Sequence, residues 1–283
     1  MEKARAKAAQ MGLDGVAVYD DYRKMLENPD LDIVVICTPN HLHAEQAILA
    51  AQAGKHIVIE KPVCLNLADL KRMRDAVRAA GVKTVVCFEL RWNPMFMNIK
   101  KMLSEGYLGE IYSVETDYIH YLSPSYPCYH WAITREKAGD GMMMGGVHAV
   151  DALRWFGSTE PERAANIVEV FAYSGGYRKD LEYPGLEIML VKLENGAIGK
   201  VSSNWDAVNP YWFPVRIFGT EGTIRDTRVW APKKFPGQND WVYVPAIEPD
   251  SGDVTHHPFQ GQNDHFVDCI INDRRSHVDL EDA

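Results

Sequence analysis

The chain has 283 residues, 46% of them apolar and 24% charged, with a formal net charge of −9. That is enough for more than one compact domain of ordinary globular composition, and the acidic balance argues against a nucleic-acid partner, because phosphate binding needs a basic surface. No apolar run approaches the roughly 20 residues of a bilayer span, and the cysteines (Cys37, Cys64, Cys87, Cys128, Cys269) are scattered with no C-x-x-C pair, so neither a disulfide framework, a membrane span nor a zinc site is expected.

Met1 opens into Glu2-Lys3-Ala4-Arg5-Ala6-Lys7-Ala8-Ala9, a charged, alanine-rich helical stretch without the apolar core of a signal peptide. It reads as the middle of a domain, and a cytoplasmic location is the expectation. Residues 16–19 have the composition of a brief strand, and Asp20 or Asp21 can cap a helix over residues 22–27. Ile33-Val34-Val35-Ile36-Cys37 is a continuous apolar run, as in a parallel strand buried on both faces. Thr38-Pro39-Asn40 turns the chain into a helix from about His41 to Ala53, closed by Gly54. Ile57-Val58-Ile59 is the next buried strand; Asn66 caps a helix over residues 67–80 that ends at Gly81; residues 84–88 form another strand. A β-α-β-α-β series predicts a parallel sheet with covering helices.

After Leu90 the rhythm changes. A helix over residues 94–104 leads to strand-like stretches at 111–118, 164–171, 186–193, 197–205, 215–218 and 241–244. Glu194-Asn195-Gly196 joins two of them, and Asn-Gly is a strong hairpin signal because a type I′ turn needs positive φ at both positions. Strands without intervening helices imply an antiparallel sheet. The fold class is therefore an α/β parallel sheet (residues 1–90) followed by an α+β domain with a mostly antiparallel sheet (residues 91–283).

Three clusters carry chemistry. Thr38-Pro39-Asn40-His41-Leu42-His43 and Glu60-Lys61-Pro62 each follow a buried strand, where ligands bind in open α/β sheets. Pro62 restricts Lys61 to extended backbone and so favours a fixed aim for its ammonium; the plain alternative is a surface turn lysine. The third cluster runs from Gly139 to Asp151. Its glycines permit close backbone approach, and its His148 can exchange a proton near neutral pH at the start of a helix reaching Phe156. The plain alternative is a hydrogen-bonded structural histidine. Gly139, Gly141 and Gly145 do not make a dinucleotide fingerprint, since the spacing is G-x-G-x-x-x-G and no strand precedes it. Aromatic and imidazole groups crowd Tyr118-Ile119-His120-Tyr121, residues 126–131 with Trp131, and Asn209-Pro210-Tyr211-Trp212-Phe213; such faces suit a carbohydrate, or equally loop packing. His256-His257 lacks a third metal ligand at a sensible spacing.

In order and spacing, Cys37-Thr38-Pro39-Asn40, Ala53-Gly54-Lys55-His56, Glu60-Lys61-Pro62, Arg91-Trp92-Asn93-Pro94, Gly145-Gly146-Val147-His148 with Asp151, Gly219-Thr220-Glu221-Gly222 and His265-Phe266 resemble the Gfo/Idh/MocA family of NAD(P)-dependent oxidoreductases over the whole chain. The resemblance implies that the first sheet is an incomplete Rossmann-type sheet and the second open-faced. It implies hydride transfer between NAD or NADP and a sugar, polyol or related hydroxyl or keto substrate. It implies Lys61 and His148 as catalytic residues. Thr38, Pro39, Asn40, His43, Glu60, Lys61, Arg91 and Trp92 would lie at the cofactor, and Lys61, Tyr118, Trp131, His148 and Asp151 at the substrate. It also implies a homo-oligomer through the antiparallel sheet, a small-molecule substrate and no metal. An NAD-dependent glycosidase and a non-catalytic relative are the alternatives on the same fold. Two departures stand out. The family's opening strand with G-x-G-x-x-G, and the strand whose end reads the ribose, are absent, and the chain stops at Asp279-Leu280-Glu281-Asp282-Ala283 where relatives continue into a closing helix, so truncation at both ends and weak NAD(P) binding are expected, and the choice of NAD or NADP stays open. Many relatives carry Asp four residues before the histidine; Met144 stands there, and a thioether cannot take a proton.

Overall fold

The computed structural model describes residues 1–13, 15–249 and 257–283. After α1 (Glu2–Gln10) and α2 (Tyr22–Leu26), the strands β1 (Ile33–Ile36), β2 (His56–Ile59) and β3 (Thr84–Val86) form a parallel sheet in that order. Their crossovers are α3 (His43–Gln52) and α4 (Leu67–Ala80), which pack on each other. The local reasons are those of the sequence. Asn66 accepts a hydrogen bond from the Asp69 N–H at 2.9 Å, and Gly81 closes α4 at φ 66°, a left-handed conformation that costs glycine least. β2 and β3 are buried on both faces, whereas Val35 of β1 is 62% exposed, because no described element covers that side of β1. Residues 16–19 are an exposed loop, with no described strand to pair with.

The second module begins with α5 (Pro94–Ser104), capped by Asn93 with proline in its first turn. Next come β4 (Ile111–Ile119), the short α6 (Tyr129–Ala132) and α7 (Arg135–Ala138), a π-helical turn at Met142–Gly146, and α8 (Val147–Phe156). The strands β5 (Ile167–Gly175), β6 (Leu186–Leu193), β7 (Ile198–Asn204), β8 (Val215–Gly219), β9 (Thr223–Arg225), β10 (Arg228–Trp230) and β11 (Val242–Tyr243) follow. Among the described residues these make an eight-stranded sheet, β11-β10-β9-β8-β4-β7-β6-β5. It is antiparallel except for the pair β4–β7. Helix α8 packs across β4 and β7, burying Leu153, Val201 and Val114 and leaving the opposite face of the sheet open.

The β6–β7 turn differs from the sequence expectation. Gly196 takes φ 88°, but Asn195 does not enter the left-handed region. Instead its side chain accepts from the Ala197 N–H and donates to the Gly157 carbonyl at 2.9 Å, tying the turn to the end of α8. The last helix, α9 (Phe259–Ile271), was not legible as one. With the segment after it, α9 packs not on the second sheet but in the first module's core, where Phe266, Val278 and Leu280 are buried. The Val86 N–H donates to the Val278 carbonyl, and the Leu280 N–H to the Thr84 hydroxyl, both at 2.9 Å. The chain's end thus clamps β3 and fixes the segment that follows it.

Candidate active site

Lys61 leaves the end of β2 through a cis bond to Pro62 and extends toward the π-helical turn, where its Nζ donates to the Met144 carbonyl at 2.9 Å. His148 enters from the first turn of α8, buried, its ring stacked on Tyr118 of β4 at 6.2 Å between centroids and met edge-on by Phe88 at 5.8 Å. The two side chains come from different modules, yet they line one cavity of about 210 Å³, together with Glu60, Glu89, Leu90, Tyr118, Tyr211, His257 and Phe259. The turn is close to the sheet because Gly145 has no side chain: a Cβ there would stand 2.5 Å from Tyr118 and 2.6 Å from Trp205.

The electrostatics of the cavity follow from its burial. Desolvation holds the His148 imidazole well below its ordinary pKa, and the charge of Lys61, with that of His257 whenever it is protonated, pushes the same way, so the ring is neutral at pH 7. Its Nδ1 is buried without a hydrogen-bond partner among the described residues. Burial likewise raises the Glu89 carboxyl to about 8, against the pull of Lys61. Glu89 Oε1 lies 3.7 Å from His148 Nε2 and 3.9 Å from His257 Nε2. With a neutral ring and a protonated acid, neither approach is an ion pair at pH 7. Glu89 was not singled out in the sequence. The signal was available: a carboxylate flanked by Phe88 and Leu90, just past a buried strand, is as oddly placed for a solubilising charge as Lys61.

Several expected site residues lie elsewhere. Arg91 and Asp151 are spent on each other: the Arg91 side chain has no exposed surface, and its Nε and Nη2 donate to the Asp151 carboxylate at 3.0 and 2.5 Å. Arg91 also donates to Asp282 Oδ2 and the His277 carbonyl, both at 2.7 Å, so it ties α8 to the chain's end rather than facing the cavity. Trp92 packs against His265 and His277, and Trp131 against the second module's core. His43 is fully buried, with both ring nitrogens 2.8 Å from the Pro62 and Thr38 carbonyls, so it braces the two strand-end loops. Asn40 is buried and donates to the Ala138 carbonyl at 3.2 Å, stapling the first loop to the second module, while the Thr38 hydroxyl donates to Gln46. Pro39 stays half-exposed at the cleft end of β1. His256 lies outside the described residues.

A parallel α/β sheet with a cleft at its strand ends, roofed by a helix from an appended open-faced sheet, defines a Rossmann-type two-module protein. Residues 1–88 match the model of the oxidoreductase family with NAD-binding Rossmann fold, and residues 96–225 match the Gfo/Idh/MocA C-terminal domain. The chain is 32% identical over 244 residues to levoglucosan dehydrogenase of Pseudarthrobacter phenanthrenivorans, covering 79% of this chain and 62% of that protein. It is 29% identical over 235 residues to 1,5-anhydro-D-fructose reductase of Ensifer adhaerens, covering 82% and 67%. A levoglucosan dehydrogenase structure, in complex with NADH and levoglucosan, superposes with a TM-score of 0.83 at 25% identity, over 99% of this chain and 82% of that one. The chain belongs to the Gfo/Idh/MocA family of oxidoreductases. It spans about three fifths of the levoglucosan dehydrogenase it matches.

Proposed function

We propose that the cleft moves a hydride between NAD(P) and a hydroxyl or keto group of a sugar- or polyol-like small molecule. The observation that carries this reading is the convergence of the Lys61 ammonium and the neutral His148 ring in one cavity. The residues present suit the nicotinamide end of a dinucleotide: Pro39, Glu60 and Lys61 lie outside the carboxyl ends of β1 and β2, and the buried Nδ1 of His148 has no hydrogen-bond partner among the described residues. When bound, the nicotinamide supplies the hydride acceptor or donor. Lys61, already aimed by the Met144 carbonyl, has further N–H groups with which to hold a substrate oxygen. His148 takes the hydroxyl proton on oxidation and returns it on reduction. Tyr118 and Tyr211 offer the apolar face with a polar tip on which a pyranose or polyol rests.

The open face of the large sheet supports self-association into a homo-oligomer. Phe171 and Tyr173 of β5 stand opposite Leu190 and Ile188 of β6, all exposed, and contiguous apolar patches of this kind are uncommon on monomers.

The test is turnover of a sugar and polyol panel with NAD and with NADP, followed as NAD(P)H absorbance, for the native chain and Lys61→Ala. Removing a group that holds and charges the reacting oxygen is expected to lower kcat/KM by about 10²- to 10⁴-fold. Unchanged turnover in Lys61→Ala overturns the assignment. Release of a sugar without net NAD(P)H points to the glycosidase alternative.

A further inference from the structure

A proton taken by His148 is trapped unless something carries it out. His148 is buried against Tyr118 and Phe88, and Glu89 stands between it and His257, with Lys61 lining the same cavity. The order of exposure follows the same path: the side chains of His148 and Glu89 are 6% and 8% exposed, that of His257 15%. One carboxyl oxygen, Oε1, serves both contacts, 3.7 Å from one imidazole Nε2 and 3.9 Å from the other. These gaps exceed a direct hydrogen bond by less than an ångström, and such bonds commonly tighten only when substrate fills a site. Glu89 is the first residue of the 3₁₀ turn Glu89–Trp92, whose backbone is held in place by the Arg91–Asp151 pair.

We propose that Glu89 is a proton-relay residue that links His148 to His257 and so connects the buried cleft to solvent. The inference rests on the hydride-transfer reading of the cleft. In the oxidising direction the substrate O–H bond breaks and His148 binds the proton. Glu89 enters the step as the neutral acid. Its O–H proton passes to His257 Nε2, and the carboxylate left behind takes a proton from the His148 imidazolium through Nε2. His148 and Glu89 end in their starting charge states, and the single proton lost by the substrate sits on His257, from which water removes it. The reducing direction runs the same transfers backward. The charged groups that face Glu89 are Lys61, which favours its ionised form, and Glu60 and Asp151, which oppose it. Its other titratable neighbours among the described residues include the buried Cys87 thiol, the two imidazoles and the Tyr118 and Tyr211 phenols of the same cavity.

The experiment is a histidine-ring NMR titration of the ¹⁵N-labelled chain without ligand, paired with steady-state turnover, in the native protein, Glu89→Gln and Glu89→Asp, with His257→Asn assigning the rings. The relay predicts that the His148 and His257 rings both sense one common step where Glu89 ionises, near a pH of about 8. Glu89→Gln removes that step from both rings, and Glu89→Asp, which keeps an acid, retains it. In turnover, Glu89→Gln lowers kcat by tenfold or more with little change in KM and removes the step in the pH profile of kcat near that pH, and Glu89→Asp recovers part of the rate. Rings that titrate identically in the native protein and Glu89→Gln, or a Glu89→Gln enzyme as fast as the native one, overturn the relay. A common titration step in a protein that turns over no substrate of the panel supports the coupling while overturning the hydride-transfer reading, so the two failures are separable.

Discussion

Arg91 and Lys61 are both cations beside α8, yet their surroundings give them opposite roles. The Arg91 guanidinium spends its N–H donors on Asp151, Asp282 and the His277 carbonyl, whereas Lys61 spends one donor on Met144 and opens to the cavity. Breaking a buried pair leaves an uncompensated charge, which typically costs about 3–5 kcal/mol. Asp151→Ala is therefore expected to lose on the order of 3 kcal/mol of unfolding free energy in a urea melt, and a loss under 1 kcal/mol would refute the structural role assigned to Asp151. The sequence singled out Lys61 by its place past a buried strand and His148 by its place after a glycine cluster, and the two line one cavity. Arg91, Asp151 and His43 are engaged by partners distant along the chain, and no local spacing reveals pairings such as Arg91 with Asp151 across 60 residues or with Asp282 across 191.

At the scale of elements, the π-helical turn Met142–Gly146 decides where His148 points. It is held from below by hydrogen bonds: the Ser203 hydroxyl and the Trp205 indole N–H donate to the Gly141 carbonyl at 2.8 and 2.9 Å, and the Met142 N–H donates to Glu187 at 2.6 Å. Such turns inside helices recur at functional sites. Gly145→Ala would push a methyl into the Tyr118 and Trp205 rings, and overpacking of this kind costs about 1–3 kcal/mol. Because Tyr118 stacks on His148, the variant is expected to lose turnover beyond its loss of stability; near-native kcat in a folded Gly145→Ala would show that the turn does not set the site. Elements with a strong local signal were legible: β-branched runs gave β1 to β3, and Asn66 with Gly81 bounded α4. Those that depend on distant partners were not. α9 carries Gly261, Asn263 and Asp264 in its first half and is held by the burial of Phe266 in the first module's core, while β9 and β10 are three-residue strands defined only by pairing.

For the molecule as a whole, the large sheet has one face covered and one bare. Helix α8 and the π-helical turn bury Val191, Leu193 and Val201 on the inner side, and the outer side of β5 and β6 presents Phe171, Tyr173, Ile188 and Leu190, with Tyr173 74% exposed. The bare patch is continuous because opposite residues of an antiparallel pair share a face, and it lies on β5 and β6 rather than on β4, whose Tyr118 lines the cavity. A second copy meeting it would repeat the same apolar side chains across a two-fold axis, the self-complementary arrangement that closes most homodimers. A stable interface buries about 1,200–2,000 Å² in all, and its centre is intolerant of an unpaired charge. Tyr173→Glu with Leu190→Glu is therefore expected to reduce the native mass, measured by light scattering on a sizing column, to that of one chain. Neither residue lines the cavity of Lys61 and His148, so each dissociated subunit should keep its helical circular dichroism. A native chain that is monomeric at tens of micromolar, or a double variant with the native mass, would place the association surface elsewhere.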